Sequence, residues 1–391
     1  MKLNSKKIEF SNEKLKLKSI LSVLKYAIKN NVTFALWRLP NSNFSNGLIS
    51  YNSFKLKSDF SISDLGKGFI LSPFVNDDKI VFAPENIKIE LDESLNLFSD
   101  EFNLDDIISE INSIKNENIY DLLPSKNDFN NYDFKKSVLD AVLDIENGIF
   151  QKVVLARTIL EQNLNKLNPL EIYIRLTKKY PSAFVSIVYN PEFGLWIGAT
   201  PELLIEQNSD GIFKTVSVAG TKTYIQGSDI SEINWQQKEI EEQAFVSRYI
   251  INQFKKIRVR EFEEFGPVVT LAGNLVHLKT EFKVNTNEIN FPELSTVMLK
   301  LLHPTPAVCG ESKEKSLQFI LNNENFEREL YSGFFGPINS NINLFVNLRC
   351  MKIYKNSFQL FAGAGITKNS DADKEFEEIN SKFSTLQSVL N

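Results

Sequence analysis

Two pairs of glutamates, Glu239/Glu242 and Glu375/Glu378, are each spaced three residues apart in segments with helical periodicity. Residues three apart share one face of a helix, where like charges repel unless a cation or a proton offsets them. Four carboxylates on two facing helices would form an oxygen-rich site suited to Mg²⁺, which takes one or two carboxylates plus water and substrate oxygens. Each pair taken singly also fits a solvated helix face with ion pairs.

The apolar periodicity around each pair predicts a core-facing helix. In the C-terminal segment the apolar residues advance by three and four positions, and a polar stripe with Glu375, Glu378 and Lys382 runs beside them. The C-terminal apolar stripe comprises Phe376, Ile379, Phe383, Leu386 and Leu390. The stripe expected in the first helix comprises Ile240, Ala244, Ser247, Ile251 and Phe254.

Lys152 and Glu202 are candidates for general base and general acid. Lys152 opens the predicted strand KVVLARTIL, whose apolar surroundings would remove part of its hydration and disfavour the ammonium form. Glu202 directly follows the turn at Pro201, and a shielded carboxyl there would have a raised pKa and could donate a proton. The alternatives are a strand-end lysine that reaches water and a solvated turn residue.

Arg349 falls within INLFVNLRCMKIY, which we predict as one strand with Arg349 in its middle. A guanidinium among apolar neighbours needs an anionic partner, either a protein carboxylate or a substrate carboxylate. The small-residue segments at 362–366 and 219–221 are predicted turns whose backbone N–H groups an anion could approach closely. Neither segment matches a glycine-rich phosphate motif, so we do not expect a nucleotide ligand.

The composition excludes several classes of function. The formal charge is −5, with 44 basic and 49 acidic residues intermixed, so we expect no nucleic-acid partner and no anionic membrane surface as partner. No apolar stretch approaches the ~18 residues of a membrane span, and the N-terminus lacks a signal-like apolar run, so we expect a cytoplasmic protein. Cys309 and Cys350 have no metal or redox spacing and are expected to be free buried thiols. The two histidines, His277 and His303, argue against zinc or a histidine-based triad.

Strand-like and helix-like segments are mixed along the chain without strict alternation. This order predicts an α+β fold, with a large, mainly antiparallel sheet system and flanking helices. Residues 1–125 carry no recognisable chemistry and no linker follows them, so we expect a variable N-terminal part merged into the same fold as residues 126–391. A helix is clearly predicted from Asp133, which is suited to cap its start, to Gly148, which is suited to end it.

Eight motifs in this order resemble the signature of the chorismate-utilising enzymes, a family that includes isochorismate, salicylate, anthranilate and aminodeoxychorismate synthases. The resemblance covers residues 134–390. The motifs are KVVLAR (152–157), GATPELL (198–204), AGTK (219–222), KEIEEQ (238–243), LHPTPAVCG (302–310), ELYSGFFG (329–336), NLRC (347–350) and AGAGI with the helix after it (362–386).

The resemblance implies a fold like that of anthranilate synthase component I, and it assigns roles to matching positions. Glu242 and Glu378 match direct Mg²⁺ ligands, and Glu239 and Glu375 match an outer pair that acts through water. Gln243 stands where many relatives have His. Substrate-binding positions by resemblance are Thr221, His303, Ala307, Tyr331, Leu348, Arg349, Gly363 and Lys382.

Within the family, the pair Lys152 and Glu202 resembles the base and acid of isochorismate synthesis, in which water attacks C2 and the C4 hydroxyl leaves. Anthranilate synthases lack this lysine, and aminodeoxychorismate synthases depend on ammonia from a glutaminase, whereas we expect no glutaminase subunit here. The resemblance therefore implies a Mg²⁺-dependent isochorismate synthase acting on chorismate, for menaquinone or siderophore synthesis. Salicylate synthase and a non-catalytic chorismate-binding regulator are the alternatives, and the sequence leaves the oligomeric state open.

Overall fold

The strands of the protein form two large antiparallel sheets that pack face to face, as a computed structural model of the chain shows. The structure describes residues 4–9, 13–75, 79–126, 132–163, 167–224, 227, 229, 233–272 and 275–390. Helices cover the outer face of each sheet. The predicted class, α+β with a mainly antiparallel sheet system, is confirmed.

The described residues contain eight α-helices and twenty strands. The helices are α1 Glu13–Lys29, α2 Leu104–Ser113, α3 Phe134–Glu146, α4 Pro169–Lys179, α5 Gln237–Lys256, α6 Leu294–Leu302, α7 Lys313–Asn323 and α8 Ala372–Leu390. The strands are β1 Asn4–Glu9, β2 Thr33–Arg38, β3 Ser45–Ser50, β4 Phe54–Lys55, β5 Gly68–Ser72, β6 Val81–Pro84, β7 Ile87–Leu91, β8 Ser94–Ser99, β9 Lys152–Gln162, β10 Phe184–Asn190, β11 Gly194–Thr200, β12 Leu203–Gln207, β13 Ile212–Thr223, β14 Glu263–Ala272, β15 Leu275–Asn285, β16 Gly310–Glu311, β17 Phe334–Ile338, β18 Ile342–Val346, β19 Cys350–Ile353 and β20 Ser357–Ile366.

The first sheet has the strand order β1-β8-β7-β3-β2-β10-β11-β19-β20-β9-β16, and the second has the order β14-β15-β13-β12-β18-β17-β5-β6-β4. The N-terminal strands β1–β8 contribute to both sheets, so the first hundred residues share the sheets that carry the rest of the chain. In the described part of the chain, no helix is long and apolar enough to cross a membrane.

Three apolar clusters hold these layers together. One lies between the sheets, where Phe184 of β10 stacks on Phe345 of β18 with ring centroids 4.3 Å apart. A second joins the outer face of the first sheet to α1, α3, α4 and α8, and a third joins the second sheet to α5 and α6. Burial of apolar surface on both faces of each sheet explains why β2, β5 and β10 consist almost entirely of buried residues.

Several local predictions hold. The Asp133 side chain caps α3 by accepting a hydrogen bond from the Lys136 amide, and Gly148, just after the helix, has a positive φ of 73°. Cys309 and Cys350 are free and buried. The C-terminal apolar stripe is buried at Ile379, Phe383, Leu386 and Leu390.

Three other local predictions are wrong. The segment INLFVNLRCMKIY is two strands, β18 and β19, in different sheets, so Arg349 is not mid-strand. Residues 362–366 lie inside β20, and residues 219–221 lie inside β13 at a register shift, so neither is a turn between elements. In α5 the predicted stripe is right at Ser247 and Phe254 and wrong at Ile240, which is 46% exposed, because the buried face also passes through Gln243, Val246 and Ile250.

Candidate active site

Glu202 and Arg349 lie where two neighbouring chain segments pass from one sheet to the other. Strands β11 and β19 pair in the first sheet, and their continuations β12 and β18 pair in the second. The two crossings are only residues 201–202 and 347–349 long, and hydrogen bonds join them. The Ala199 amide donates to the Arg349 carbonyl at 3.0 Å, and the Val346 amide donates to the Glu202 carbonyl at 2.9 Å. Both side chains are thereby fixed at the junction of the sheets.

Arg349 has a left-handed backbone conformation, with φ of 48°, which a non-glycine residue adopts only at a cost. Its partly buried guanidinium forms no hydrogen bond or ion pair with any residue that the structure describes. Burial lowers the pKa of Arg349, while the charges of Glu202 and Glu378 act in the opposite direction. Arg349 is therefore a partly buried cation with no direct counter-ion among the residues that the structure describes.

Glu202 is partly buried, and burial raises the pKa of its carboxyl to about 7, although the nearby cations Arg349 and Lys152 oppose the rise. A carboxyl with this pKa is protonated in a large fraction of molecules near neutral pH. Glu202 can therefore donate a proton, as the sequence led us to expect.

Lys152 begins β9 and is buried, and its Nζ donates a hydrogen bond to Glu242 Oε1 of α5 at 3.1 Å. This contact links the first sheet to a helix of the second. Burial alone would raise the pKa of Glu242, but Lys152, Lys382 and the Gly220 amide together hold it below its ordinary value. Gly365 lies against the lysine, since a Cβ there would be 3.0 Å from Lys152 Cε.

Lys382 of α8 lies between several candidate groups. Its Nζ is 2.6 Å from Glu378 Oε1 and donates to the Gly363 carbonyl at 2.7 Å. Gly363 in turn faces the buried Tyr331, whose hydroxyl would be 2.7 Å from a Cβ at position 363. Glycines at 363 and 365 therefore allow the side chains of Tyr331 and Lys152 to approach β20 closely.

The outer glutamates have other partners. Glu239 lies in the first turn of α5, where its Oε2 accepts from the Gln236 amide at 2.8 Å as part of a capping box. Glu375 is buried in the first turn of α8, and its Oε1 accepts from the Ser370 hydroxyl at 2.7 Å. Both side chains therefore help to begin the helices that carry the inner glutamates.

Lys382 is near two carboxylates, since it pairs with Glu378 and its charge acts on Glu242. Two carboxylates on facing helices fit Mg²⁺, which usually completes its shell with water and substrate oxygens. Across the residues that the structure describes, no group of three or more His, Cys, Asp or Glu side chains lies close enough to hold a metal ion. The four-glutamate site remains a prediction.

The other residues predicted to bind substrate are placed as follows. Ala307 lines a small cavity together with Glu202, and Leu348 belongs to the crossing that carries Arg349. Thr221 lies in β13 opposite His277, and its side chain is outside the described part. His303 is buried at the end of α6 with its ring edge-on to Phe334, 4.8 Å between centroids, and burial lowers the pKa of His303 to about 3. The structure does not bring His303 into contact with Lys152, Arg349 or Lys382.

His277 is a candidate site residue that sequence reasoning missed. It is buried on β15, its Nδ1 is 3.2 Å from the Gly220 carbonyl, and it is close enough to Arg349, Lys382 and Glu242 for their charges to act on it. Burial and then Arg349 lower the pKa of His277 to about 4, so the imidazole is neutral at physiological pH. His277 comes to lie opposite Thr221 of the AGTK motif only through the pairing of β13 with β15, so no local sequence signal marked it.

Comparison with known proteins identifies the family of this chain. Residues 75–391 match the family model described as chorismate binding enzyme. Isochorismate synthase EntC of Escherichia coli (strain K12) is 29% identical over 246 residues, or 61% of this chain, and isochorismate synthase MenF of Bacillus subtilis (strain 168) is 26% identical over 326 residues, or 81% of this chain. The alignments cover 62% and 66% of those two relatives, respectively.

Among solved structures, the fold resembles that of MenF, the menaquinone-specific isochorismate synthase from Escherichia coli. The TM-score is 0.72, and the superposition covers 100% of this chain and 95% of that chain. The sequence identity is 19%, so this likeness supports the fold alone.

Proposed function

Because the chain belongs to the chorismate binding enzyme family, we propose that it is a Mg²⁺-dependent isochorismate synthase. The observation that supports the proposal is that a buried lysine, Lys152, and the cation Arg349 are both near enough to Glu202 for their charges to act on its carboxyl, whose pKa is raised by burial. A base and an acid with different environments are what a water addition coupled to loss of a hydroxyl requires.

In the proposed reaction, Lys152 accepts a proton from a water molecule while the water oxygen bonds to C2 of chorismate. The ring double bonds shift, the C4–O bond breaks, and Glu202 donates the proton that makes the departing hydroxyl a water molecule. One water is consumed and one is released, so atoms and charge balance. Lys152 must first be deprotonated, because a base must present its lone pair to the water, and the neutral amine can still donate an N–H to Glu242.

The substrate's carboxylates would be held by Arg349, Lys382, the backbone at Gly363, and Tyr331. A guanidinium without a partner in the described residues can form a bidentate pair with a carboxylate. Glu242 and Glu378 would hold Mg²⁺, with Glu239 and Glu375 acting through water, and the bound ion supplies charge compensation at the ring carboxylate. Thr221, His303, Ala307 and Leu348 are proposed to line or support the same cleft.

The proposed substrate class is chorismate, and the product would serve menaquinone or siderophore synthesis, the uses that the names of the similar proteins suggest. The proposal is tested by incubating purified protein with chorismate and Mg²⁺ and separating the products by chromatography. Isochorismate as the accumulating product supports it. Salicylate with pyruvate would instead indicate a salicylate synthase, and chorismate binding without turnover would indicate a non-catalytic binding protein.

A further inference from the structure

Glu311 has a buried carboxylate oxygen with no hydrogen-bond partner among the described residues. It lies on the two-residue strand β16 and is the antiparallel partner of Lys152 in β9. Directly opposite residues of an antiparallel pair project from the same face, with Cβ atoms about 5 Å apart. The Glu311 and Lys152 side chains therefore emerge side by side at the edge of the first sheet.

Backbone geometry fixes this placement closely. A Cβ at Gly310, which has φ of 137°, would be 2.2 Å from the Lys152 carbonyl, so only glycine permits the approach of β16 to β9. Ser312, on the other side of Glu311, is left-handed with φ of 62° and begins α7. The buried Ser316 hydroxyl is 2.9 Å from the Lys152 carbonyl and 3.0 Å from the Glu311 carbonyl. Glu311 therefore has little freedom to move away.

Lys152 has N–H donors without acceptors, and Glu311 has an acceptor oxygen without a donor, among the described residues. An ammonium has three N–H donors, and the Lys152 Nζ has one acceptor among the described residues, Glu242. The lysine side chain is only 9% exposed, so water can satisfy few of the remaining donors. Glu311, for its part, has a buried oxygen that lacks a donor, an arrangement that is uncommon in native proteins.

We propose that Glu311 is a positioning residue for Lys152, a second carboxylate that accepts from the lysine when Glu242 is engaged elsewhere. The lysine then has two resting positions, one toward α5 and one toward β16, and it stays beside the cleft in both. Burial raises the pKa of Glu311, and the charges of Arg248 and Lys152 oppose this rise, which agrees with both cations being near. The proposal rests on the proposed function, in which Lys152 is the base.

The test is a double-mutant cycle on unfolding, with Glu311→Gln, Lys152→Met and the double variant, all close in shape to the native side chains. A direct contact predicts that the two effects on the unfolding equilibrium constant differ from additivity by about threefold or more. The same cycle with Arg248→Met is the matched control. Additive effects with Lys152, together with coupling to Arg248 alone, would overturn the proposal.

Kinetics separate positioning from a purely structural contact. Glu311→Gln should lower kcat by about tenfold or more with KM for chorismate nearly unchanged, and Glu311→Asp, which keeps the charge, should recover part of the loss. An unchanged kcat in Glu311→Gln would overturn the positioning role even if the unfolding cycle shows coupling. The unfolding cycle needs no turnover, so a failure of the isochorismate synthase proposal would show separately, as absence of product from the unmodified protein.

Discussion

The carbonyl of Arg349 accepts a hydrogen bond from the amide of Ala199 at 3.0 Å. This bond joins the crossing that carries Arg349 to β11, the strand that leads into the crossing of Glu202. The candidate acid and the candidate substrate-binding cation are therefore positioned by two chain segments that are hydrogen-bonded to each other. A displacement of either crossing would move both side chains.

Replacing Lys152 by Ala should lower the rate of isochorismate formation by ~10²–10⁴, the usual contribution of a general base. Binding of chorismate should persist, because Arg349 and Lys382 are untouched. Turnover by chromatography and binding by calorimetry are measured on the same preparation. Lys29→Ala, which removes an exposed lysine paired with Glu117, is the control and should leave both quantities unchanged. A loss well under tenfold would leave Lys152 without the role of base.

Glu202 should make both rate and stability depend on pH. As the proposed acid it must be protonated, so kcat should fall as pH rises through about 7. The folded-state pKa of Glu202 is raised from 4.5 to about 7, so the folded protein binds the proton more tightly than the unfolded chain does. The free energy of unfolding contributed by this group is therefore fully present below pH 4.5 and is lost as pH rises to about 7.

Urea unfolding of the native protein and of Glu202→Gln, compared from about pH 5 to about pH 8, measures this effect. As pH rises, the free energy of unfolding of the native protein should fall relative to that of Glu202→Gln. A pH-independent difference would mean that the carboxyl has an ordinary pKa.

Arg349→Gly and Arg349→Ala should both weaken chorismate binding by ~2–5 kcal/mol, the typical cost of losing one side of a desolvated charge pair. The two variants should differ in stability, because the left-handed φ of 48° suits glycine and strains alanine by about 1 kcal/mol. Calorimetric binding and urea unfolding of the pair separate the two effects. Unweakened binding in the stable glycine variant would contradict the substrate-binding role.

Excess EDTA should abolish activity, and added Mg²⁺ should restore it. Glu242→Ala and Glu378→Ala should each remove activity without unfolding the protein, since both glutamate side chains are more than a third exposed. Glu241→Ala and Glu377→Ala, which change exposed neighbours on the same two helices, are matched controls and should remain active. Full activity in EDTA would exclude the metal requirement.

Gly365→Ala should reduce activity by displacing Lys152, because the new Cβ would be 3.0 Å from Lys152 Cε and 3.4 Å from Nζ. We expect kcat to fall by about tenfold or more, with stability changed by under about 1.5 kcal/mol, since a flexible side chain can yield. Gly66→Ala, where a Cβ meets nothing within 4 Å, is the control. Equal kcat values in the two variants would show that the position of Lys152 does not matter.

Much of the fold could be predicted from the sequence because apolar periodicity and caps act locally. Asp133, Gly148 and the stripe through Ile379 and Phe383 are examples. The division of β18 from β19 could not be predicted, because the alternation of apolar residues continues through it and the only break is the backbone conformation of Arg349, a residue type not typical of turns. The glycines of β20 were interpreted as turn residues, whereas they serve close approach by Tyr331 and Lys152.

The sequence identified some residues of the candidate site and missed others. Lys152, Glu202, Glu242, Arg349 and Lys382 are near enough to one another for the charges of several of them to act on their neighbours, and their roles remain predictions. His277 and Glu311 were missed because their neighbours come from strands and helices that are distant in the chain. Only the pairing of β13 with β15 and of β9 with β16 brings them to the cleft.

The two crossings between the sheets also determine when the site can form during folding. Each sheet on its own contains only one of the two strands that flank Glu202 and only one of the two that flank Arg349. The first sheet alone would also leave Lys152 without the helix that supplies Glu242. The candidate site is therefore complete only when both sheets have formed and the aromatic layer between them has closed.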